Sequence, residues 1–182
     1  MVHRVLTLGN SFVHRLDSFF YRNRASGWYN LGLDGTEIQV EFACLGGGTL
    51  RPGPKCINKG EFMHVFHTFK PNTVFMQIGG NDLSHEEEPD KLPRDIASFA
   101  DYGITVYDVS HVIVGKLLPR HSESSGPKYN DKVNKVNQHL ASLLKNLKNI
   151  TFRKHRGLRR DTASLLLPDK VHLNDVGMQV HA

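Results

Sequence analysis

Ser11, Gly47, Asn81, Asp169 and His172 are the residues of this sequence whose types and positions suit one chemistry, nucleophilic attack on a carbonyl. Ser11 would be the nucleophile and His172 the general base that takes its proton. Asp169, three residues before the histidine, would hold the imidazole tautomer and stabilise the imidazolium. The N–H of Ser11, an N–H from the run Gly46-Gly47-Gly48 and the side-chain amide of Asn81 would receive the developing oxyanion. One such donor is worth about 3–4 kcal/mol in the transition state. Within the glycine run the sequence does not separate Gly47 from Gly46 or Gly48. Taken alone, each feature has a plainer reading. Ser11 suits a helix N-cap, the glycines suit a flexible turn, Asn81 suits an Asx turn or cap, and an Asp-x-x-His pair is commonly a surface pair.

What joins them is the set of elements that must position them. A first strand is expected over 2–8, its short apolar run Val5–Leu8 ending at Gly9, and Phe12, Val13, Leu16, Phe19 and Phe20 then recur at helical spacing. Strand, glycine turn, serine, helix presents a nucleophile at the carboxyl end of a strand, where the helix N-terminus favours negative charge. Residues 37–43 alternate polar and apolar, as a half-buried strand does, and run into the glycines. A helix is expected over 58–69, a buried third strand over 73–78, and Gly79-Gly80-Asn81-Asp82 closes that strand. The acidic run 86–90 precedes a helix expected over 91–107, where it would suit the helix dipole. A fourth strand is expected over 112–118, a long amphipathic helix over 129–147, a short fifth strand over 150–153, and a last helix beginning at His172. That helix runs only about two turns before Ala182, so the natural chain is expected to continue. Strands alternating with helices argue for a three-layer α/β/α sandwich around a parallel sheet. In such a sheet the strand carboxyl ends share one edge, and ligands sit there.

The 182 residues are expected to form one domain. With 39% hydrophobic and 23% charged residues the composition is that of an ordinary globular chain. No run of about 18 apolar residues is present, which argues against a transmembrane helix. The N-terminus lacks a small-residue cleavage site and reads as a buried first strand rather than a signal peptide, so an intracellular location is expected. Cys44 and Cys56 are the only cysteines, too few for a disulfide framework and without zinc-site spacing. The net charge is +5, and basic residues gather late: Lys145, Lys148, Arg153, Lys154, His155, Arg156, Arg159 and Arg160. This stretch, Lys145 to Arg160, is a candidate weak contact for nucleic acid, and equally a solvated strip.

Leu8-Gly9-Asn10-Ser11, Gly46-Gly47-Gly48-Thr49, Gly79-Gly80-Asn81-Asp82 and Asp169-Lys170-Val171-His172-Leu173 together resemble the four motif blocks of the SGNH-hydrolase superfamily, the GDSL-type esterases and lipases. The third and last blocks are the specific ones. The resemblance implies a flavodoxin-like sheet of about five parallel strands in the order 2-1-3-4-5. It also implies ester hydrolysis without metal or cofactor. The chain has no long apolar insertion that looks like a lipase lid, so a small, acetyl-like ester is the expected substrate. The resemblance maps the nucleophile onto Ser11, the oxyanion donors onto Ser11, Gly47 and Asn81, and the base and its orienter onto His172 and Asp169. One departure is visible: the first block usually reads Gly-Asp-Ser, and position 10 here is asparagine, which brings hydrogen-bonding capacity without charge. That departure leaves room for a weakly active or inactive descendant that uses the fold to bind nucleic acid or an acidic partner. A narrower stretch, Leu117-Leu118-Pro119-Arg120 with Tyr129, Asn130, Asn134 and Asn137, is similar to esterase domains associated with LINE-type retrotransposons.

Overall fold

Apolar runs that stop at a glycine or a polar turn become the strands of one parallel sheet. The computed structural model describes residues 2–23, 29–84, 90–122, 128–155 and 163–181. In chain order the elements are β1 (His3–Gly9), α1 (Ser11–Asn23), β2 (Ile38–Cys44), α2 (Gly60–Phe69), β3 (Thr73–Gln77), α3 (Leu92–Tyr107), β4 (His111–Gly115), α4 (Tyr129–Leu144), β5 (Ile150–Arg153) and α5 (Asp175–His181). The five strands lie in the order β2-β1-β3-β4-β5, every pair parallel, as the expected order 2-1-3-4-5 has it. β1 is central to the site's geometry, because Gly9 at its end pairs with both Cys44 and Gln77. The loops after β1, β2 and β3 therefore leave the sheet side by side.

Side-chain alternation divides the apolar residues between the two faces. Leu6, Leu8, Val74, Met76, Val112 and Val114 point into a large core with residues of α2, α3 and α4. Phe12, Leu16, Phe19 and Phe20 of α1 form a second cluster with Leu173 and Met178, and Phe42 of β2 packs against it. Burying each such side chain contributes about 1.5–3 kcal/mol, so this second cluster is what fastens the C-terminal segment beside α1. Gly9 has a steric reason. A Cβ there would collide with the Gln77 carbonyl and the Val13 side chain, so only glycine lets α1 start this close to β3.

Most boundaries fall within two residues of the expectation, and three differ by three. β4 ends at Gly115 rather than at 118, because beyond it the Leu117 backbone is taken by the Asn137 side chain, its N–H donating at 2.8 Å and its carbonyl accepting at 3.0 Å. Leu117 is buried in the large core and Leu118 packs on the second cluster, so the apolar run continues while the chain crosses between cores. α4 stops at Leu144, and Leu147 is exposed. The last helix starts at Asp175, not His172. Residues 165–174 instead fold back as a hairpin-like turn with a Leu166–Leu173 bridge, and Asn174 caps α5 by accepting the Gly177 N–H at 2.9 Å. Of the acidic run 86–90, all but Asp90 lies outside the described residues, as do Arg156, Arg159 and Arg160.

Candidate active site

Asn10, not Ser11, is the N-cap of α1. Its side-chain oxygen accepts the Phe12 N–H at 3.2 Å and its backbone carbonyl accepts the His14 N–H. Ser11 is thereby the first helical residue, and its own N–H has no acceptor within the helix. The cap needs only an oxygen at position 10, so asparagine in place of aspartate keeps this local structure; Asn10 is buried.

Ser11 Oγ lies 2.9 Å from His172 Nε2, across 161 residues of sequence. The other ring nitrogen, Nδ1, lies 2.8 Å from Asp169 Oδ2. Asp169 Oδ1 accepts the backbone N–H groups of Val171 and His172, both at 2.9 Å, and so fixes the turn that carries the histidine. Lys170 takes a left-handed backbone at φ 54 within that turn, and its carbonyl accepts the His121 N–H, which ties the turn to the loop after β4. The Phe12 ring packs against the imidazole with centroids 5.7 Å apart. Partial burial works against ionisation of Asp169. The backbone N–H and ring of His172 and the Val171 N–H outweigh it and bring the carboxyl down to about 2. Arg15, one helical turn after Ser11, adds a guanidinium 3.9 Å from Asp169 Oδ2. A hydroxyl, an imidazole and an ionised carboxylate in this order can pass the serine proton to the imidazole and hold the resulting cation.

On the other side, the loops after β2 and β3 are stitched together. Asn81 Nδ2 donates to the Gly48 carbonyl at 3.0 Å, and Asp82 Oδ1 accepts the Leu50 and Arg51 N–H groups at 3.0 and 3.1 Å. Gly48 N–H is committed to the Leu45 carbonyl at 2.8 Å, which removes it from the three candidate donors. Among the described residues, the N–H groups of Gly46 and Gly47 have no such partner. Gly47 adopts φ +76, a left-handed backbone that favours glycine; the contact a Cβ would make, with the Lys55 side chain at 2.9 Å, is to the end of a flexible chain that can swing aside.

Several residues in this arrangement were not singled out as site residues in the sequence. Arg120 Nη2 donates to Asn81 Oδ1 and its Nη1 to Ser84 Oγ, both at 2.8 Å. Its guanidinium lies 4.6 Å over the Tyr129 ring, whose hydroxyl donates to the Gly80 carbonyl. The only signal for Arg120 in the sequence is the Leu117–Pro119–Arg120 stretch with its downstream asparagines, which gives the arginine no role. Asp82 and Arg15 carried no signal beyond adjacency. Cys44, at the end of β2, has its thiol 3.6 Å from His14 Nδ1. Burial first, and Asp17 second, push it up to about 11, so it is a thiol rather than a competing nucleophile at neutral pH.

The late basic stretch is partly surface. Lys145, Lys148, Arg153 and Lys154 are exposed, while His155 is buried, with its ring against the Lys116 carbonyl at 2.8 Å. Burial lowers the His155 pKa, so it does not belong to a cationic surface. A groove of about 740 Å³ runs between α1 and the C-terminal segment, lined by Arg15, Ser18, Leu173 and Met178; Ser11 and His172 are not in its wall. Among the described residues no group of three or more His, Cys, Asp or Glu is placed to hold a metal ion. No helix among them is long and apolar enough to cross a membrane.

No protein-family profile matches the sequence, and no curated protein matches it. Solved structures do. A lipase/acylhydrolase from Enterococcus faecalis superposes with a TM-score of 0.65 at 18% identity, over 98% of this chain and 91% of that one. A GDSL-like lipase from Bacteroides thetaiotaomicron gives 0.64 at 16% identity, over 97% and 83%. A mutant acetyl esterase, solved with an acetate ion, gives 0.65 at 16% identity, over 99% and 92%. The chain has the fold of these GDSL-type lipases and acylhydrolases.

Proposed function

We propose that the chain is a serine esterase of the SGNH type that hydrolyses a small, acetyl-like ester. The observation that carries the reading is the chain of bonds from Ser11 Oγ through both nitrogens of His172 to Asp169, at 2.9 and 2.8 Å. Ser11 Oγ attacks the ester carbonyl while His172 Nε2 takes its proton. The carbonyl oxygen becomes an anion received by the N–H groups of Ser11 and Gly47 and by the Asn81 amide. On collapse the C–O bond breaks, and the imidazolium returns its proton to the leaving alcohol. The acyl group stays on Ser11. Water, deprotonated by His172, then attacks the acyl-enzyme, releases the acid and restores the serine. Asp169, ionised at all ordinary pH values, holds Nδ1–H toward itself so that Nε2 presents its lone pair. The acetyl esterase among the structures of the same fold supports a short acyl group.

The test is a panel of p-nitrophenyl esters from acetate to dodecanoate, together with labelling by an alkyl fluorophosphonate and peptide mass spectrometry. Wild type should turn over the short esters fastest and carry the phosphonate on Ser11. Ser11→Ala should lose about 10⁴-fold or more in turnover and all labelling. An equally active Ser11→Ala variant overturns the assignment. Because a protonated imidazole cannot accept the serine proton, kcat/KM should fall in acid; a profile flat from about pH 5 to 8 would remove histidine as the base.

The exposed Lys145, Lys148, Arg153 and Lys154 favour a second reading, a low-activity module that contacts nucleic acid through this face. Such binding would be weak, insensitive to base sequence and steeply salt-dependent. Fluorescence polarisation with single-stranded RNA at low and moderate salt decides it.

A further inference from the structure

Two asparagines on α4 do the same thing one helical repeat apart. Asn137 takes both backbone groups of Leu117, and Asn130 takes both of Arg120, accepting its N–H at 3.0 Å and donating to its carbonyl at 2.8 Å. Residues seven apart lie on one helix face, so α4 grips the loop after β4 at two points three residues apart, as a neighbouring strand would. The loop cannot slide, and Arg120 leaves it from a fixed backbone position. Its guanidinium is then fixed three ways: Nη1 on Ser84 Oγ, Nη2 on Asn81 Oδ1, and the plane over Tyr129. Tyr129 is buried and anchored in turn on the Gly80 carbonyl, one residue before Asn81.

The amide of Asn81 therefore sits between partners of opposite polarity. A guanidinium has donors only, so the atom facing Arg120 must be the amide oxygen. The Gly48 carbonyl accepts only, so the atom facing it must be the amide nitrogen. Arg120 thus selects one of the two orientations of the amide, the one that turns N–H groups toward the Gly48 loop and away from the β4 side. A charge-assisted bond at Oδ1 also draws electron density from the amide and makes its N–H groups better donors.

We propose that Arg120 is a positioning residue for the oxyanion site: it orients and polarises the Asn81 amide, and α4 exists in this register partly to hold Arg120 in place. This rests on the reading of Asn81 as an oxyanion donor. Arg120 itself touches no reacting atom.

The experiment measures kcat and KM on p-nitrophenyl acetate for wild type, Arg120→Met, Arg120→Lys, Asn81→Ala and the Arg120→Met/Asn81→Ala double variant, with thermal melts of each. Removing a partner that orients an active group costs about 10- to 100-fold. Arg120→Met should lose kcat on that scale with KM within about twofold. Arg120→Lys, which keeps the charge but not the fork, should recover part of it and guards against a methionine variant that does not fold. Added guanidinium chloride at millimolar level should raise kcat of Arg120→Met and not of Asn81→Ala. The double variant should be no slower than Asn81→Ala alone, because the arginine then has nothing to orient. The Asn81 side-chain amide in a ¹⁵N NMR spectrum, identified by its loss in Asn81→Ala, should shift in Arg120→Met. Wild-type kcat in Arg120→Met, losses that multiply in the double variant, or an effect confined to KM would each overturn the proposal while leaving the esterase reading intact. An unchanged kcat in Asn81→Ala would overturn both the donor role and this proposal.

Discussion

Asp169 and His172 are held by atoms two and three residues apart, whereas Asn81 is held by groups 33 and 39 residues away. The base side is a local turn. Its carboxylate side chain is 42% exposed, and the turn meets the rest of the molecule through Ser11 Oγ, the Phe12 ring, the Arg15 guanidinium, the His121 N–H and the packing of Leu173. The donor side is a closed network in which loops after β2, β3 and β4 and the first turns of α4 each supply a partner. The base side therefore depends on local backbone geometry, and the donor side depends on the whole carboxyl edge of the sheet being assembled. Variants on the two sides should differ accordingly: losses of activity with little loss of stability on the first, mixed losses on the second.

The sharpest separation is expected at Asp169. Asp169→Asn keeps an oxygen for the Val171 and His172 N–H groups, so the turn should survive. Its amide nitrogen would face Nδ1 and enforce the wrong tautomer, and kcat should fall roughly 10³- to 10⁴-fold, while the melting temperature should drop only by the modest share that a largely exposed, ionised carboxylate contributes. Steady-state kinetics and a thermal melt on the same preparation check both halves. A loss under about tenfold would reduce the unit to a Ser11–His172 pair with an idle carboxylate.

Asn81 is the counterpart on the donor side. Asn81→Ala should lower kcat by roughly 10²-fold or more with a smaller change in KM, and it also removes the Gly48 tie, so stability should drop. Asn81→Asp keeps only the Arg120 contact: the new carboxylate has no N–H for an oxyanion and sets an oxygen against the Gly48 carbonyl, so kcat should fall as far and the melt should drop as well. If the defect lies in KM alone, Asn81 is a substrate-binding group.

Asn137 probes the scaffold behind that side. Asn137→Ala strands the buried N–H and carbonyl of Leu117, and should cost about 1–3 kcal/mol of stability, read as a lower urea midpoint. Activity measured well below the transition should fall less than in Arg120→Met, since Asn130 still grips Arg120. A variant as stable as wild type would mean that water takes over both groups.

This contrast also explains what the sequence let one read. The parallel sheet and its order were legible because glycine-terminated apolar runs alternate with helical ones. Asp169 and His172 were legible because their geometry is written within four residues. Asn81 was legible by its place at a strand end, but Arg120 was not, since nothing local to a Leu-Leu-Pro-Arg loop says that its guanidinium meets a side chain 39 residues earlier. The same limit set the wrong boundaries. Leu117 and Leu118 extend an apolar run because they lie between two cores, not because the strand continues, and Leu173 is apolar because it closes the second cluster rather than because a helix has begun. Gly48 stayed a candidate donor until its N–H was placed on Leu45, a bond that a run of three glycines does not announce.

The smallest effect is a pH dependence of stability with opposite sign on the two sides. Asp169 has its pKa lowered, to about 2, so its native contacts add stability that is present above the ordinary carboxylate value and is lost as pH falls toward 2. Asp82, on the donor side, is fully buried, and burial raises its pKa against the opposing Leu50 and Arg51 N–H groups; its Oδ2 has no hydrogen-bond partner among the described residues. Between the ordinary carboxylate value near 3.8 and the raised native one, the folded chain holds a proton that the unfolded chain has released. Unfolding free energy from this group therefore falls as pH rises through that window and stays lower at neutral pH. Asp82→Asn keeps an oxygen for the two N–H groups and removes the titration. Urea midpoints from about pH 3 to 7 should then decline less steeply with rising pH in Asp82→Asn than in wild type above pH 4. Asp169→Asn should instead flatten the acid limb below about pH 4 and leave the Asp82 slope in place. If wild type and Asp82→Asn trace parallel curves, the buried carboxylate is ionised throughout that window, and the donor side carries its charge at no pH-dependent cost.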